Sequence, residues 1–333
     1  MSSTCDGDKK WHNSLTKSRK NDRSMGTEVP SQFDVIIIGG GPAGMSASLW
    51  CAELGLTSII IEKEPELGGQ LLWTFNAINN YLGVKAKNGR ELCDTFLEHL
   101  GTRAFYKSGC EASAVDLSRK RIFLSDGTTY IGNGIILATG VRRRKLDVAG
   151  EAVFEGRGML RSGAENQLDM TGKVVLIVGG GDAALENALI LANQAQKVYV
   201  VHRRSEFTAR GEFVERASNH HNIEFVFSSN VAAILGGDRV EAVELEGVGG
   251  RRTVAVDLVL VRIGVIPNTK LFSGQISMDV SGYLLHQGYE TNITNVFAVG
   301  DVANPQSPTI VTAVGSAASA IKSFRNRTNR LGG

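Results

Sequence analysis

Two glycine-rich turns of one type, Gly39-Gly40-Gly41-Pro42-Ala43-Gly44 and Gly179-Gly180-Gly181-Asp182-Ala183-Ala184, each follow an apolar run and each open a helical pattern. Such a turn carries a dinucleotide only between a buried strand and a helix, and here that setting occurs twice. One chain is therefore expected to hold two dinucleotides. The first turn follows Asp34-Val35-Ile36-Ile37-Ile38, a β-branched run that reads as a buried parallel strand, and precedes a helical stretch from Met45 to Leu54. Gly39 suits the tight turn, and Gly41 has no Cβ to keep the backbone from a pyrophosphate. Gly44 lets the helix approach the strand, with Pro42 and Ala43 at the helix N-terminus that faces the phosphates. A second strand, Ser58-Ile59-Ile60-Ile61, ends at Glu62, where a carboxylate can accept hydrogen bonds from ribose hydroxyls. An acid there suits an unphosphorylated ribose, as in FAD or NAD.

The second unit differs at the position that reads the ribose. Its strand Lys173 to Val178 leads into Gly179, Gly181, Asp182, Ala183 and Ala184, and the next strand, Lys197 to Val201, ends in His202-Arg203-Arg204. Two guanidiniums complement a 2′-phosphate by charge-assisted, bidentate bonding. The first site reads as FAD and the second as NADPH.

The expected fold class is α/β, with two Rossmann-like dinucleotide-binding domains. The length of 333 residues suits two domains, and 42% hydrophobic residues suffices for two cores. A net charge of +2 gives no drive toward nucleic acid or anionic membrane. No apolar stretch reaches the ~18 to 20 residues of a membrane span, so a cytoplasmic location is expected, with no nucleic acid, membrane or metal as partner. Residues 1–31 are polar and rich in Ser, Lys and Arg, which reads as a disordered extension. Met25 offers an alternative start, and Asp6, Asp8 and Asp22 count against a basic organellar presequence. The strand Gly134 to Leu137 runs into Ala138-Thr139-Gly140 and the basic stretch Arg142-Arg143-Arg144-Lys145, where the chain is expected to cross between domains. Another strand ends at Pro267-Asn268, and Asn295 to Asp301 precedes a helical pattern from Thr309 to Phe324. These breaks give an FAD domain in two segments, 32–145 and 268–328, with the NAD(P)H domain 146–267 inserted.

Across residues 33 to 328 the chain resembles the low-molecular-weight thioredoxin reductases, flavoproteins with two dinucleotide-binding domains. The shared motifs are GGGPAG at Gly39 to Gly44, GGQL at Gly68 to Leu71, ATG at Ala138 to Gly140, GGGDAA at Gly179 to Ala184, HRR at His202 to Arg204 and VFAVGD at Val296 to Asp301. The resemblance implies that Glu62, followed by Lys63, holds the adenosine ribose of FAD. It also implies that Gly69, Gln70 and Asn80 lie near the flavin end, beside Ala138, Thr139 and Gly140. Gly300 and Asp301 would meet the ribityl chain, and the backbone at Thr309 and Ile310 would face the flavin pyrimidine. Arg203 and Arg204 would hold the NADPH 2′-phosphate; the family's further arginine is replaced by Thr208, with Arg210 nearby as a substitute. A homodimer is implied by resemblance alone.

The largest departure is an absence. The family carries Cys-x-x-Cys shortly after a segment matched here by Gly156-Arg157-Gly158, and at the thiol positions this chain has Ser162 and Glu165. A dithiol relay needs a thiolate that attacks a disulfide and a second thiol that resolves it. Cys5, Cys51, Cys93 and Cys110 include no CxxC pair. Glu165, with Asn166 beside it, invites a catalytic reading as a proton donor, and equally a helix-start reading.

Such a flavoprotein without the dithiol is similar to the thioredoxin-reductase-type ferredoxin/flavodoxin-NADP reductases. That resemblance implies electron transfer from NADPH through flavin to a redox protein such as ferredoxin or flavodoxin, with Arg142 to Lys145 able to steer an acidic partner. Three alternatives stay open from the residues. The flavin could meet oxygen, a quinone or a small disulfide directly, the protein could be a non-catalytic flavin binder, or it could reduce thioredoxin through an unrecognised cysteine.

Overall fold

The apolar run after Ser31 divides its side chains between two cores. In β1 (Gln32–Ile38), Val35 and Ile37 enter one cluster while Phe33, Ile36 and Ile38 enter another. A strand buried on both faces must lie inside a sheet, which is why its sequence reads as an unbroken apolar run. The computed structural model describes residues 31–164 and 169–331. The expectations for the N-terminal extension, for Cys5 and for Glu165 and Asn166 lie outside the described residues.

Helix α1 (Pro42–Glu53) starts three positions earlier than the apolar pattern suggested. Proline is suited to the first helical position, where its missing N–H would have no partner. After β2 (Ser58–Ile61), α2 (Gly89–Leu100) is capped reciprocally: the Asn88 side chain accepts the Glu91 N–H, and the Glu91 carboxylate accepts the Lys87 N–H. Then come β3 (Phe105–Lys107), β4 (Ala112–Asp116), β5 (Arg121–Leu124) and β6 (Thr129–Leu137). The chain continues through β7 (Val141–Arg143), β8 (Met159–Leu160), β9 (Val174–Val178), α3 (Asp182–Ala192), β10 (Lys197–Val201), α4 (Gly211–Ser218) and β11 (Ile223–Val226). A β12 (Ser229–Leu235), β13 (Ala242–Gly247), β14 (Gly250–Ala255) meander precedes β15 (Leu258–Val261) and β16 (Val265–Pro267), and β17 (Val296–Ala298) and α5 (Ile310–Leu331) complete the fold.

These elements form two units, one from the residues up to Val141 and from Pro267 onward, the other from Arg142 to Ile266. The basic stretch Arg142 to Lys145 therefore counts with the second unit. In the first, a seven-stranded sheet has the order β3-β2-β1-β6-β5-β4, with β17 also paired to β6. β6 serves two neighbours on one side: its beginning runs antiparallel to β5, and its end, Ile135 to Leu137, runs parallel to β17. In the second unit, five parallel strands run β11-β10-β9-β15-β8, beside the antiparallel β12-β13-β14 meander. Val175 and Ile177 of β9 face one core and Leu176 and Val178 the other, repeating the arrangement of β1. Among the described residues no helix is long and apolar enough to cross a membrane.

Candidate functional site: two glycine-turn clefts

In the first unit the glycines divide into two kinds. Gly39 has φ +108, and a Cβ there would lie 2.3 Å from the Ala138 carbonyl oxygen; a Cβ on Gly44 would lie 1.9 Å from the Gly39 oxygen. Both are needed for the chain to pack on itself. Gly41 is different, because a Cβ there would meet nothing closer than the Gly69 Cα at 3.9 Å. It caps α1 without a side-chain hydrogen bond, and no acid stands in the first helical turn. An open glycine surface thus faces a helix N-terminus with unsatisfied N–H groups, the requirement for a bound phosphate.

Glu62, Gly69, Ala138 and Gly300 lie beside this turn and the start of α1. Glu62 is buried, its Oε2 accepting the Gly40 N–H at 2.6 Å and its Oε1 the Glu64 N–H at 2.9 Å, so the acid is locked at the end of β2 beside the turn. Lys63 points outward and pairs with Glu64. The Gly68 N–H donates to the Gly40 oxygen at 2.8 Å, bringing the 3-10 turn Gly69–Trp73 against the glycine loop. Gln70 donates from Nε2 to the Val141 oxygen at 2.9 Å, and Asn80 is exposed. Gly300 abuts α1, since a Cβ on it would lie 2.9 Å from the Ala43 Cβ, and its N–H donates to the Ser316 hydroxyl. Asp301 follows in a 3-10 turn; burial raises its pKa, and its carboxylate makes no hydrogen bond among the described residues. A ligand hydroxyl would satisfy it. Thr309 caps α5, its hydroxyl accepting the Thr312 N–H at 3.1 Å, and Ile310 opens the helix.

Sequence reasoning missed two supports here. Thr139 donates from Oγ1 to the Asn268 oxygen and accepts Asn268 Nδ2 on its carbonyl, both at 2.8 Å, so Asn268 clamps the Ala138-Thr139-Gly140 turn. The Pro267-Asn268 turn was visible, but its partner lies 129 positions away. Ser316, buried in α5, carried no signal beyond a small polar residue in a helix.

The second turn repeats the division. Gly179, at φ +151, has no room for a Cβ, which would lie 2.2 Å from the Arg262 oxygen, and Ala184 is fully buried. Gly181 caps α3 without a side-chain bond and is open, with Thr208 Oγ1 nearest at 3.9 Å. The Thr208 N–H and hydroxyl both donate to the Gly180 oxygen, so this residue braces the glycine turn. His202 lies against Gly180 with its ring 5.7 Å from that of Phe207; burial lowers its pKa, with Arg204 and Arg203 adding to the effect, and its Nε2 has no partner among the described residues. Arg203 and Arg204 are exposed and form no ion pair among the described residues. Ala183 is exposed on the first turn of α3. Arg210 does not stand free: its Nε pairs with Asp182 at 2.7 Å and its Nη1 with Glu212 at 3.1 Å. The two candidates Asp182 and Arg210 thus occupy each other.

The second unit has no thiol of its own. Residues 142–266 contain no cysteine. Ser162 is buried, its hydroxyl accepting the Ala164 N–H, and Gly163 donates to Asn187 Oδ1 at 2.7 Å. Cys51, Cys93 and Cys110, all in the first unit, are buried and form no disulfide among the described residues. Burial pushes the Cys51 thiol up to about 12 and the Cys93 thiol up to about 11, leaving almost no thiolate at neutral pH.

Two Rossmann-type units, each with an open glycine at a helix N-terminus, define an α/β protein of the two-dinucleotide oxidoreductase class. Residues 33–317 match the family model described as pyridine nucleotide-disulphide oxidoreductase. The chain is 34% identical to a thioredoxin reductase of Listeria innocua over 277 residues, covering 81% of this chain and 86% of the relative. It is 31% identical to a "34.2 kDa protein in rubredoxin operon" of Clostridium pasteurianum, covering 81% and 89%. The crystal structure of Lactococcus lactis thioredoxin reductase superposes with a TM-score of 0.77 at 30% identity, covering 88% of this chain and 98% of that one. The chain belongs to the pyridine nucleotide-disulphide oxidoreductase family, in its thioredoxin reductase-like branch. It is an oxidoreductase, and FAD and NADPH are the cofactors of that branch.

Proposed function

We propose that this protein is an NADPH-dependent FAD reductase that passes electrons to a redox protein of the ferredoxin or flavodoxin type instead of a dithiol. The observation that carries this reading is the absence of cysteine from residues 142–266, together with burial of all three described thiols in the other unit. In this reading Gly41, Glu62, Gly69 and Asp301 hold FAD, with Glu62 on a ribose and the unpartnered Asp301 carboxylate on the polyol chain. Gly181 and the N-terminus of α3 take the NADPH pyrophosphate, and Arg203 and Arg204 take its 2′-phosphate by charge-assisted bonds. Bound flavin supplies hydride acceptance and onward electron delivery, and the protein supplies orientation. The cationic run Arg142 to Lys145 suits an acidic partner by electrostatic steering. The relative whose name refers to a rubredoxin operon supports a small electron-transfer protein as acceptor.

Anaerobic titration tests the reading. The purified flavoprotein is expected to take up one NADPH per FAD, with no second equivalent that a dithiol would absorb. The reduced enzyme should then reduce ferredoxin, flavodoxin or rubredoxin and leave oxidised thioredoxin untouched. Uptake of two equivalents, or turnover with thioredoxin alone, would overturn it; turnover confined to quinones or oxygen would assign the flavin to small acceptors.

A further inference from the structure

At the carboxyl edge of the five-stranded sheet, β9 ends just before Gly179 and its neighbour β15 ends just before Arg262, whose oxygen crowds the Cβ position of Gly179. From β9 the chain proceeds to β10 on one side, while β15 and β8 lie on the other. These two strand ends are therefore the switch point of the sheet, the crevice that a dinucleotide crosses. Arg203 and Arg204 stand at the end of β10, the adenosine side.

On the opposite side lies a second cationic pair. Arg262 donates from Nη2 to the Arg161 oxygen at 2.7 Å and from Nη1 to the Val261 oxygen at 2.9 Å, and Arg143 Nη1 donates to that same Arg161 oxygen. Arg161 directly follows β8, so the two guanidiniums converge at the end of the strand beyond β15. Each guanidinium offers five N–H donors. Arg262 uses two and Arg143 one among the described residues, and neither pairs with a carboxylate; Glu186 on α3 is the acidic charge that Arg262 feels. Arg143 is exposed and Arg262 half-buried. Partial burial lowers both pKa values, that of Arg262 to about 9, with the charge of Arg143 adding to the effect there. Both remain cationic at neutral pH. Two like charges gathered on one carbonyl, with donors to spare, are stabilised by an anion.

We infer that Arg143 and Arg262 grip the phosphate on the nicotinamide side of the dinucleotide, which rests on the reading of this unit as the NADPH site. The grip lies across the glycine turn from the 2′-phosphate residues, where Arg210 is already held by Asp182 and Glu212. Because NADH carries the same nicotinamide-side phosphate, the pair serves both cofactors equally.

The test is calorimetric titration of the oxidised flavoprotein with NADP⁺ and, separately, NAD⁺. Arg262→Ala and the more exposed Arg143→Ala are expected to weaken both nucleotides by the same factor, roughly ten- to hundredfold for a charge-assisted bond. Arg203→Ala with Arg204→Ala should weaken NADP⁺ alone. Arg262→Lys, with flavin content and melting temperature unchanged, should recover part of the loss and so separate a lost contact from a damaged fold. Unchanged affinity for both nucleotides, a loss confined to NADP⁺, or a change only in the KM of the electron acceptor would overturn the inference. If the wild-type flavoprotein bound neither nucleotide, the reading of the unit as a nucleotide site would fall first, and this inference with it.

Discussion

At the residue scale, the glycines of each turn do two separable jobs. A Cβ on Gly44 would collide with backbone at 1.9 Å, whereas one on Gly41 collides with nothing. Gly44→Ala is therefore expected to lower the melting temperature of the flavin-free protein. Gly41→Ala should leave that temperature unchanged and lose flavin, measured as the 450 nm absorbance retained through gel filtration; equal loss of apo-protein stability in both would refute the division. The cysteines give a second prediction. Iodoacetamide at neutral pH should leave Cys51 and Cys93 unmodified until the protein unfolds, and replacing Cys51, Cys93 and Cys110 by Ser should leave the rate of flavin reduction by NADPH unchanged. A tenfold loss of that rate would restore a redox role for one of them. The glycines, Glu62 and the missing dithiol were legible because each is a local pattern with a fixed steric or chemical meaning. The Asn268 clamp and the Arg143–Arg262 convergence were not, because each joins residues more than 100 positions apart.

At the element scale, the buried strands were read correctly in type and less well in length. β6 reaches back to Thr129 because its first residues pair with β5, a pairing that leaves mixed exposed and buried positions in place of an apolar run. α5 continues past Phe324, where the apolar rhythm stops, and Arg327 there pairs through both Nη atoms with Glu290. Tertiary partners, not local pattern, set both ends. The β5–β6 hairpin is itself tied down by charge. Burial pulls the Asp126 carboxyl up, but the hydrogen bonds from Lys107 and Thr128 outweigh it and hold its pKa at about 2. A carboxylate with a depressed folded pKa adds stability above its unfolded value and loses it as pH falls through the folded one. Asp126 is exposed, so solvent screening reduces this to about 1 kcal/mol, present above pH 4 and lost toward pH 2. Asp126→Asn should therefore be less stable at neutral pH by that order in urea unfolding, with a shallower decline between pH 4 and pH 2. Parallel decline in both proteins would place the acid sensitivity elsewhere.

At the scale of the whole molecule, the two units are unequal in their dependence on chain order. The first is assembled from two separate stretches, and α5 packs on α1 through contacts such as Ser46 Oγ to the Val314 oxygen. Its core draws on both stretches, with Val35 and Ile37 from one and Ala317 and Phe324 from the other. The second is one continuous stretch from Arg142 to Ile266, with two apolar clusters of its own on the two faces of β9. Its termini meet as well: β7 pairs with β16, and the Arg144 N–H donates to the Gly264 oxygen at 3.0 Å. A segment with its own cores and adjoining ends meets the requirements for independent folding. Residues 142–266 expressed alone are thus expected to unfold cooperatively on heating, followed by circular dichroism at 222 nm, and to bind NADP⁺ within about tenfold of the intact flavoprotein. A fragment without a thermal transition would show that the first unit completes the second. A fragment that melts cooperatively and ignores NADP⁺ would show that the glycine turn at Gly179 to Gly181 needs groups from outside residues 142–266, because Arg143, Arg203, Arg204 and Arg262 are all retained in it.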